Sequence, residues 1–173
     1  MSYILFLREK LLTKPSLLPN MLSLFRLFTA PYFYSQLVSG SFFAFPVFIL
    51  AVASDLLDGI IARRFDGSSV RGAVLDASAD FFIIAAGFSY YVAVGLVSPI
   101  LLIVMAASFL QYLATMKLTV SDLLGKYIGT VLYVLLAVMM LSHSVIIGII
   151  VTFFGVVYIL TSFFSRLQKI RVV

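Results

Sequence analysis

The chain has 173 residues, 63% of them hydrophobic and 11% charged, with a mean hydropathy of +1.18 and a net charge of +5. A soluble domain is roughly half apolar and about a quarter charged, so this composition excludes a soluble enzyme and a disordered segment. The sequence contains no cysteine, which excludes a disulfide scaffold and thiolate chemistry.

At about 1.5 Å rise per residue and about 20 residues per crossing, the chain has room for at most about eight helical spans. Its apolar runs are continuous rather than alternating, the pattern of helices and not of a transmembrane barrel. Residues 1–19 come first. The apolar run 2–7 is too short to cross, and Arg8, Glu9, Lys10 and Lys14 follow it. A signal peptide places its charges before the apolar core, so this segment is predicted to be an amphipathic helix lying on the bilayer surface. Polar, glycine and proline clusters then divide the chain into six predicted spans, 20–39, 42–64, 72–94, 98–117, 124–142 and 145–165, leaving a short tail at 166–173.

The connections between these spans differ sharply in charge. Those at 39–41, 95–99 and 142–144 hold no lysine or arginine. The other boundaries hold Arg8, Lys10, Lys14, Arg63, Arg64, Arg71, Lys117, Lys126, Arg166, Lys169 and Arg171. Basic flanks stay in the cytoplasm, so both termini are predicted inside, in the cytoplasmic membrane. The expectation is an all-α integral membrane protein: one domain over 1–173, with six transmembrane helices and an N-terminal interfacial helix. In so apolar a chain the positive charge is read as facing anionic lipid, not nucleic acid. His143, in a predicted outer loop, is read as uninvolved in chemistry.

Four of the seven acidic residues, Asp55, Asp58, Asp76 and Asp80, fall inside apolar stretches within 26 residues of one another. A carboxylate in hydrocarbon is costly, and such residues mark function. Asp55 and Asp58 are three apart and Asp76 and Asp80 four apart, so each pair shares a helix face. Counted inward from Arg64, Asp58 and Asp55 lie roughly 9 and 14 Å deep; counted from Arg71, Asp76 and Asp80 lie roughly 8 and 14 Å deep. Two antiparallel neighbours would bring the pairs together at one level. Four like charges need protons or cations beside them. Arg63 is read as one such cation, and hard divalent ions with oxygen ligands, Mg²⁺ or Mn²⁺, as the rest. Gly59, Ala62, Gly72, Ala73 and Ala77 accompany the acids, and small residues let a ligand or another helix approach the backbone. Such a slot suits a lipid-linked diphosphate.

The run Asp55-x2-Asp58-Gly59-x2-Ala62-Arg63-x8-Gly72-x3-Asp76-x3-Asp80 resembles the signature of the CDP-alcohol phosphatidyltransferase family at all eight fixed positions. Two further stretches are similar to family elements. Pro19-Asn20-x2-Ser23-x2-Arg26 has Ser23 where the family usually has threonine, and Gly125-Lys126-x3-Thr130 is one residue longer than the family spacing. The resemblance implies that an alcohol hydroxyl attacks the β-phosphorus of a CDP-linked lipid (CDP-diacylglycerol or CDP-archaeol) and that CMP leaves. It implies Asp55, Asp58, Asp76 and Asp80 as ligands of two Mg²⁺ or Mn²⁺ ions, with Asp80 also the general base. It implies that Gly59, Ala62 and Gly72 admit the CMP moiety, that Arg63 pairs with the diphosphate beside Asp55 and Asp76, and that the protein is a homodimer.

The acceptor is the open position in this reading. The start at Pro19-Asn20 and Arg26, and the run Ala62-Arg63-Arg64, are similar to bacterial phosphatidylglycerophosphate synthases. Those usually carry lysine after the last aspartate, where this chain has Phe81, and they bear an arginine in the fourth helix, where 101–116 has no charge. Arg26, Arg64, Arg71 and Lys126 are the candidate acceptor contacts. Glycerol 3-phosphate is the first expectation, with inositol phosphate, serine or another alcohol as alternatives. A cation transporter is the alternative class, although Arg63 would repel its substrate and the acids lie to one side of the midplane.

Overall fold

The computed structural model describes the backbone of residues 17–65, 70–115, 125 and 127–170, and the side chains of 21–57, 72–115, 125 and 127–169. The described residues form six α-helices: α1 (Leu17–Val38), α2 (Ala44–Phe65), α3 (Val70–Ala93), α4 (Ile100–Thr115), α5 (Ile128–Ser142) and α6 (Val145–Ile170). Each helix overlaps one of the six apolar stretches of the sequence, with ends that differ by up to five residues. The proposed surface helix before residue 17 lies outside the described residues. Among the described residues, Gly72–Ala93 and Val145–Lys169 are long and apolar enough to cross a membrane, and Ala44–Leu57, Ile100–Thr115 and Ile128–Ser142 are shorter apolar helices. Large side chains such as Phe42 (85% exposed) and Leu141 (75%) point outward. Apolar surface on this scale suits lipid contact, whereas water would drive it inward.

The three charge-free connections end their helices in the same physical way. After α1, Gly40 takes φ +63°, and the N–H groups of Gly40 and Ser41 return to the carbonyls of Leu37 and Gln36. After α3, Gly95 at φ +76° repeats the pattern, with Leu96 N–H reaching the Tyr91 carbonyl. Both are Schellman caps, which glycine adopts without a Cβ penalty. After α5 the left-handed position falls to His143 at φ 44°, whose N–H reaches the Met139 carbonyl in the simpler αL cap. Inside α1, Pro31 cannot donate to the preceding turn, yet the helix continues.

The chain divides into two compact units, Met1–Ile83 and Ile84–Val173, the division falling within α3. In the first, α1 packs along α2. The buried residues of α1 are Ser23, Arg26, Ala30, Phe33 and Leu37, alternately three and four apart. That is the stripe a helix presents to a neighbour at a shallow crossing angle. Ala44, Phe48, Ala51 and Ser54 are buried on α2. Phe33 stacks on Phe48 with centroids 6.0 Å apart. Seven residues further along each antiparallel helix, Arg26 meets Asp55.

In the second unit, α6 packs against α4 and α5. The approach is close at two glycines. A Cβ on Gly148 would land on the Leu96 carbonyl, and one on Gly155 would press on Leu101. Between them, the Thr152 hydroxyl accepts a hydrogen bond from Ser98 N–H at 3.2 Å. The helix α6 runs on through Arg166 and Lys169, beyond the predicted end of the span. The Arg166 guanidinium lies 5.2 Å from the Tyr112 ring centroid, and Lys169 sits in the last turn, where a cation is favoured by the helix dipole.

Candidate metal centre

The buried stripe of α1 changes character along its length. Ala30, Phe33 and Leu37 are apolar, whereas Ser23 and Arg26 are polar and still buried. Opposite this polar end stand Asp55 from α2 and Asp76 and Asp80 from α3, four residues apart on one face. One oxygen from each of the three carboxylates lies within 4.8 Å of the others. Asp58 lies three residues beyond Asp55 on α2, and its side chain falls outside the described residues.

Arg26 is 0% exposed and stands among these acids. Its Nη1 donates to Asp55 Oδ1 at 3.0 Å and also to Asp80 Oδ1. Its Nη2 donates to Asp76 Oδ1 at 2.5 Å. The Ser23 hydroxyl donates to the same Asp76 oxygen at 3.3 Å. The arrangement follows from physical necessity on both sides. A guanidinium in a dry interior needs its N–H groups paired, and clustered carboxylates need a counter-charge. One arginine between three aspartates still leaves two negative charges among the described side chains.

The donor set is all carboxylate oxygen, the chemistry of hard cations. An ion held at about 2.1 Å from its ligands needs oxygens about 3–4 Å apart, a spacing this cluster reaches with small adjustment. The residues therefore fit a divalent metal ion.

Of the other sequence candidates, Gly59, Ala62, Arg63 and Arg64 lie on α2 and Arg71 in the first turn of α3, with their side chains outside the described set. Gly72 is half-buried near the start of α3. Lys126 lies outside the described residues. The counter-cation that the structure does describe is Arg26, from α1, one of the candidate acceptor contacts of the sequence. Ser23 was noted as a motif position and not as a site residue. Its hydroxyl touches the cluster, and its place three residues before Arg26 on one face was the available signal.

The family model for CDP-alcohol phosphatidyltransferases matches residues 16–163. The chain belongs to that family. Among curated relatives, it is 38% identical over 74 residues to a CDP-diacylglycerol–glycerol-3-phosphate 3-phosphatidyltransferase of Wigglesworthia glossinidia brevipalpis, covering 40% of this chain and 41% of the relative. It is 36% identical over 72 residues to the Escherichia coli (strain K12) protein of the same name, covering 39% and 40%. It is 42% identical over 79 residues to a cardiolipin synthase (CMP-forming) / mitochondrial hydrolase fusion protein of Schizosaccharomyces pombe, covering 43% of this chain and 12% of the relative. The matched stretch thus spans about two fifths of the bacterial relatives' length. The three carboxylates that the structure gathers are positions of the signature through which the chain resembles this family.

Proposed function

We propose that the protein is a metal-dependent phosphatidyltransferase of phospholipid synthesis, acting on a CDP-linked lipid with glycerol 3-phosphate as acceptor. The observation that carries this reading is the convergence of Asp55, Asp76 and Asp80 on one point, at the spacing of the family signature. The names of the bacterial relatives support the acceptor. In the reaction, the acceptor oxygen forms a bond to the β-phosphorus, the bond from that phosphorus to the bridging oxygen breaks, and CMP leaves with that oxygen. The acceptor's proton passes to a carboxylate oxygen of Asp80. Asp55, Asp58, Asp76 and Asp80 would hold two Mg²⁺ or Mn²⁺ ions, which supply neutralisation of the charge on the diphosphate and the departing CMP. Gly59, Ala62 and Gly72 leave room for the nucleotide against the backbone, Arg63 pairs with the diphosphate, and Arg64, Arg71 and Lys126 meet the acceptor's phosphate.

The same reading takes the chain as a single six-span domain in the cytoplasmic membrane, with both termini and the acidic site on the cytoplasmic side, working as a homodimer. The charge asymmetry of the connections supports that orientation. A cation transporter is disfavoured, because a guanidinium among the carboxylates opposes a path for free cations. The test is an acceptor screen with purified protein in lipid nanodiscs, following CMP release from CDP-diacylglycerol with added Mn²⁺. Release with glycerol 3-phosphate is expected. Release with inositol phosphate or serine in its place would reassign the acceptor, and no release with any alcohol would sink the transferase reading.

A further inference from the structure

We propose that Arg26 is a built-in stand-in for the divalent cation, holding the acidic site assembled while the metal is absent and vacating it when the metal arrives. This rests on the transferase reading above and adds to it a competition that the signature does not contain. Two observations lead to it. The guanidinium nitrogens sit on one oxygen of each of the three gathered aspartates, so the arginine and a bound cation draw on the same three carboxylates. Nη1 serves Asp55 and Asp80 together, so a cation held by both carboxylates would compete with that nitrogen for them. Arg26 is also fully buried, on a stripe whose other members pack against neighbouring helices, so its present position is part of the helix packing.

The electrostatics run both ways. Without a cation, three carboxylates this close would push α2 and α3 apart, and Arg26 replaces that repulsion with three ion pairs. With a divalent ion in the same place, two positive centres would stand within contact distance, where the interaction is strongly repulsive even at moderate dielectric. The arginine must then withdraw its N–H groups from the aspartate oxygens. Arg26 is a positioning residue in this account, acting through the carboxylates.

The experiment is a Mn²⁺ titration of metal-free protein in nanodiscs, read by the electron paramagnetic resonance of free Mn²⁺, with a thermal unfolding scan of each sample. Wild type and Arg26→Gln are compared. Loss of the competing charge should tighten Mn²⁺ binding by roughly tenfold or more. The metal-free variant should unfold at a lower temperature than wild type and gain more from added Mn²⁺. A purely structural arginine would give the reverse, with weaker Mn²⁺ binding in the variant. Equal or weaker binding therefore overturns the proposal while leaving the metal site intact. If Arg26→Gln is recovered only in the presence of Mn²⁺ and unfolds on chelation while wild type stays folded, the proposal stands. If it fails to fold with Mn²⁺ present, the proposal falls. Absence of Mn²⁺ binding by wild type itself would overturn both this inference and the metal-dependent function.

Discussion

The helices that carry the acids and the helices that follow Ile84 are held together by different means. In the first unit, one buried stripe of α1 is apolar at one end, where Phe33 stacks on Phe48, and ionic at the other, where Arg26 joins three aspartates. In the second, α6 approaches its neighbours through Gly148 and Gly155, with no charged residue buried among the described residues of that unit. Lipid tails are as apolar as leucine, so burying apolar side chains between helices brings little gain in a bilayer. The second unit answers this with close backbone contact. The first answers it with charge, and in doing so keeps a set of carboxylates available for chemistry.

Substitutions separate the two. The largest effect is expected at the acids. Asp80→Asn, which keeps size and removes the proton acceptor, should lower CMP release by at least about a hundredfold. CDP-lipid binding should persist in that variant; loss of binding as severe as in Asp58→Asn would count against Asp80 as the base. On the other side, Gly148→Val should leave the site's chemistry intact and act on stability. Its Cβ meets backbone at the Leu96 carbonyl, which cannot swing aside, so a loss of about 1–3 kcal/mol is expected in thermal or denaturant unfolding. Gly155→Ala presses only on the tip of Leu101 and should cost about 1 kcal/mol or less, so equal losses at the two glycines would break the close-approach account. The smallest effect is expected at Tyr91, whose ring is buried while its hydroxyl has no hydrogen-bond partner among the described residues. Tyr91→Phe removes an unsatisfied group and should change stability by about 0 to 1 kcal/mol in the favourable direction. A clear loss would mean that the hydroxyl has work to do.

Much of this was legible in the sequence. Aspartates in an otherwise apolar run admit few readings, and their spacing of three and four fixes a shared helix face. Gly40 and Gly95 stand where charge-free turns were expected, and both take the left-handed conformation that glycine permits. The cap at His143 was not legible, since the left-handed position at a helix end usually falls to glycine. The role of Arg26 was hidden for another reason. It lies 29 residues from Asp55 and 54 from Asp80, so no local spacing links them. Only the stripe Ser23, Arg26, Ala30, Phe33, Leu37 pointed inward, and a charge on such a stripe needs a partner that the sequence does not name. The charge count from spacing alone turned to Arg63, the nearest cation in the chain. The helix α6 continues past the apolar run 145–165, and Arg166 and Lys169 belong to its final turns.

The central claim is that the aspartates gathered in the first unit hold the cation on which turnover depends. Its most direct measurement is CMP release from CDP-diacylglycerol and glycerol 3-phosphate by wild type and by Asp76→Asn, each with Mn²⁺ supplied and then chelated. The account predicts turnover by wild type that stops on chelation and returns when Mn²⁺ is restored, and none by the variant at any Mn²⁺ concentration. Undiminished release in excess chelator, or by Asp76→Asn, would contradict it.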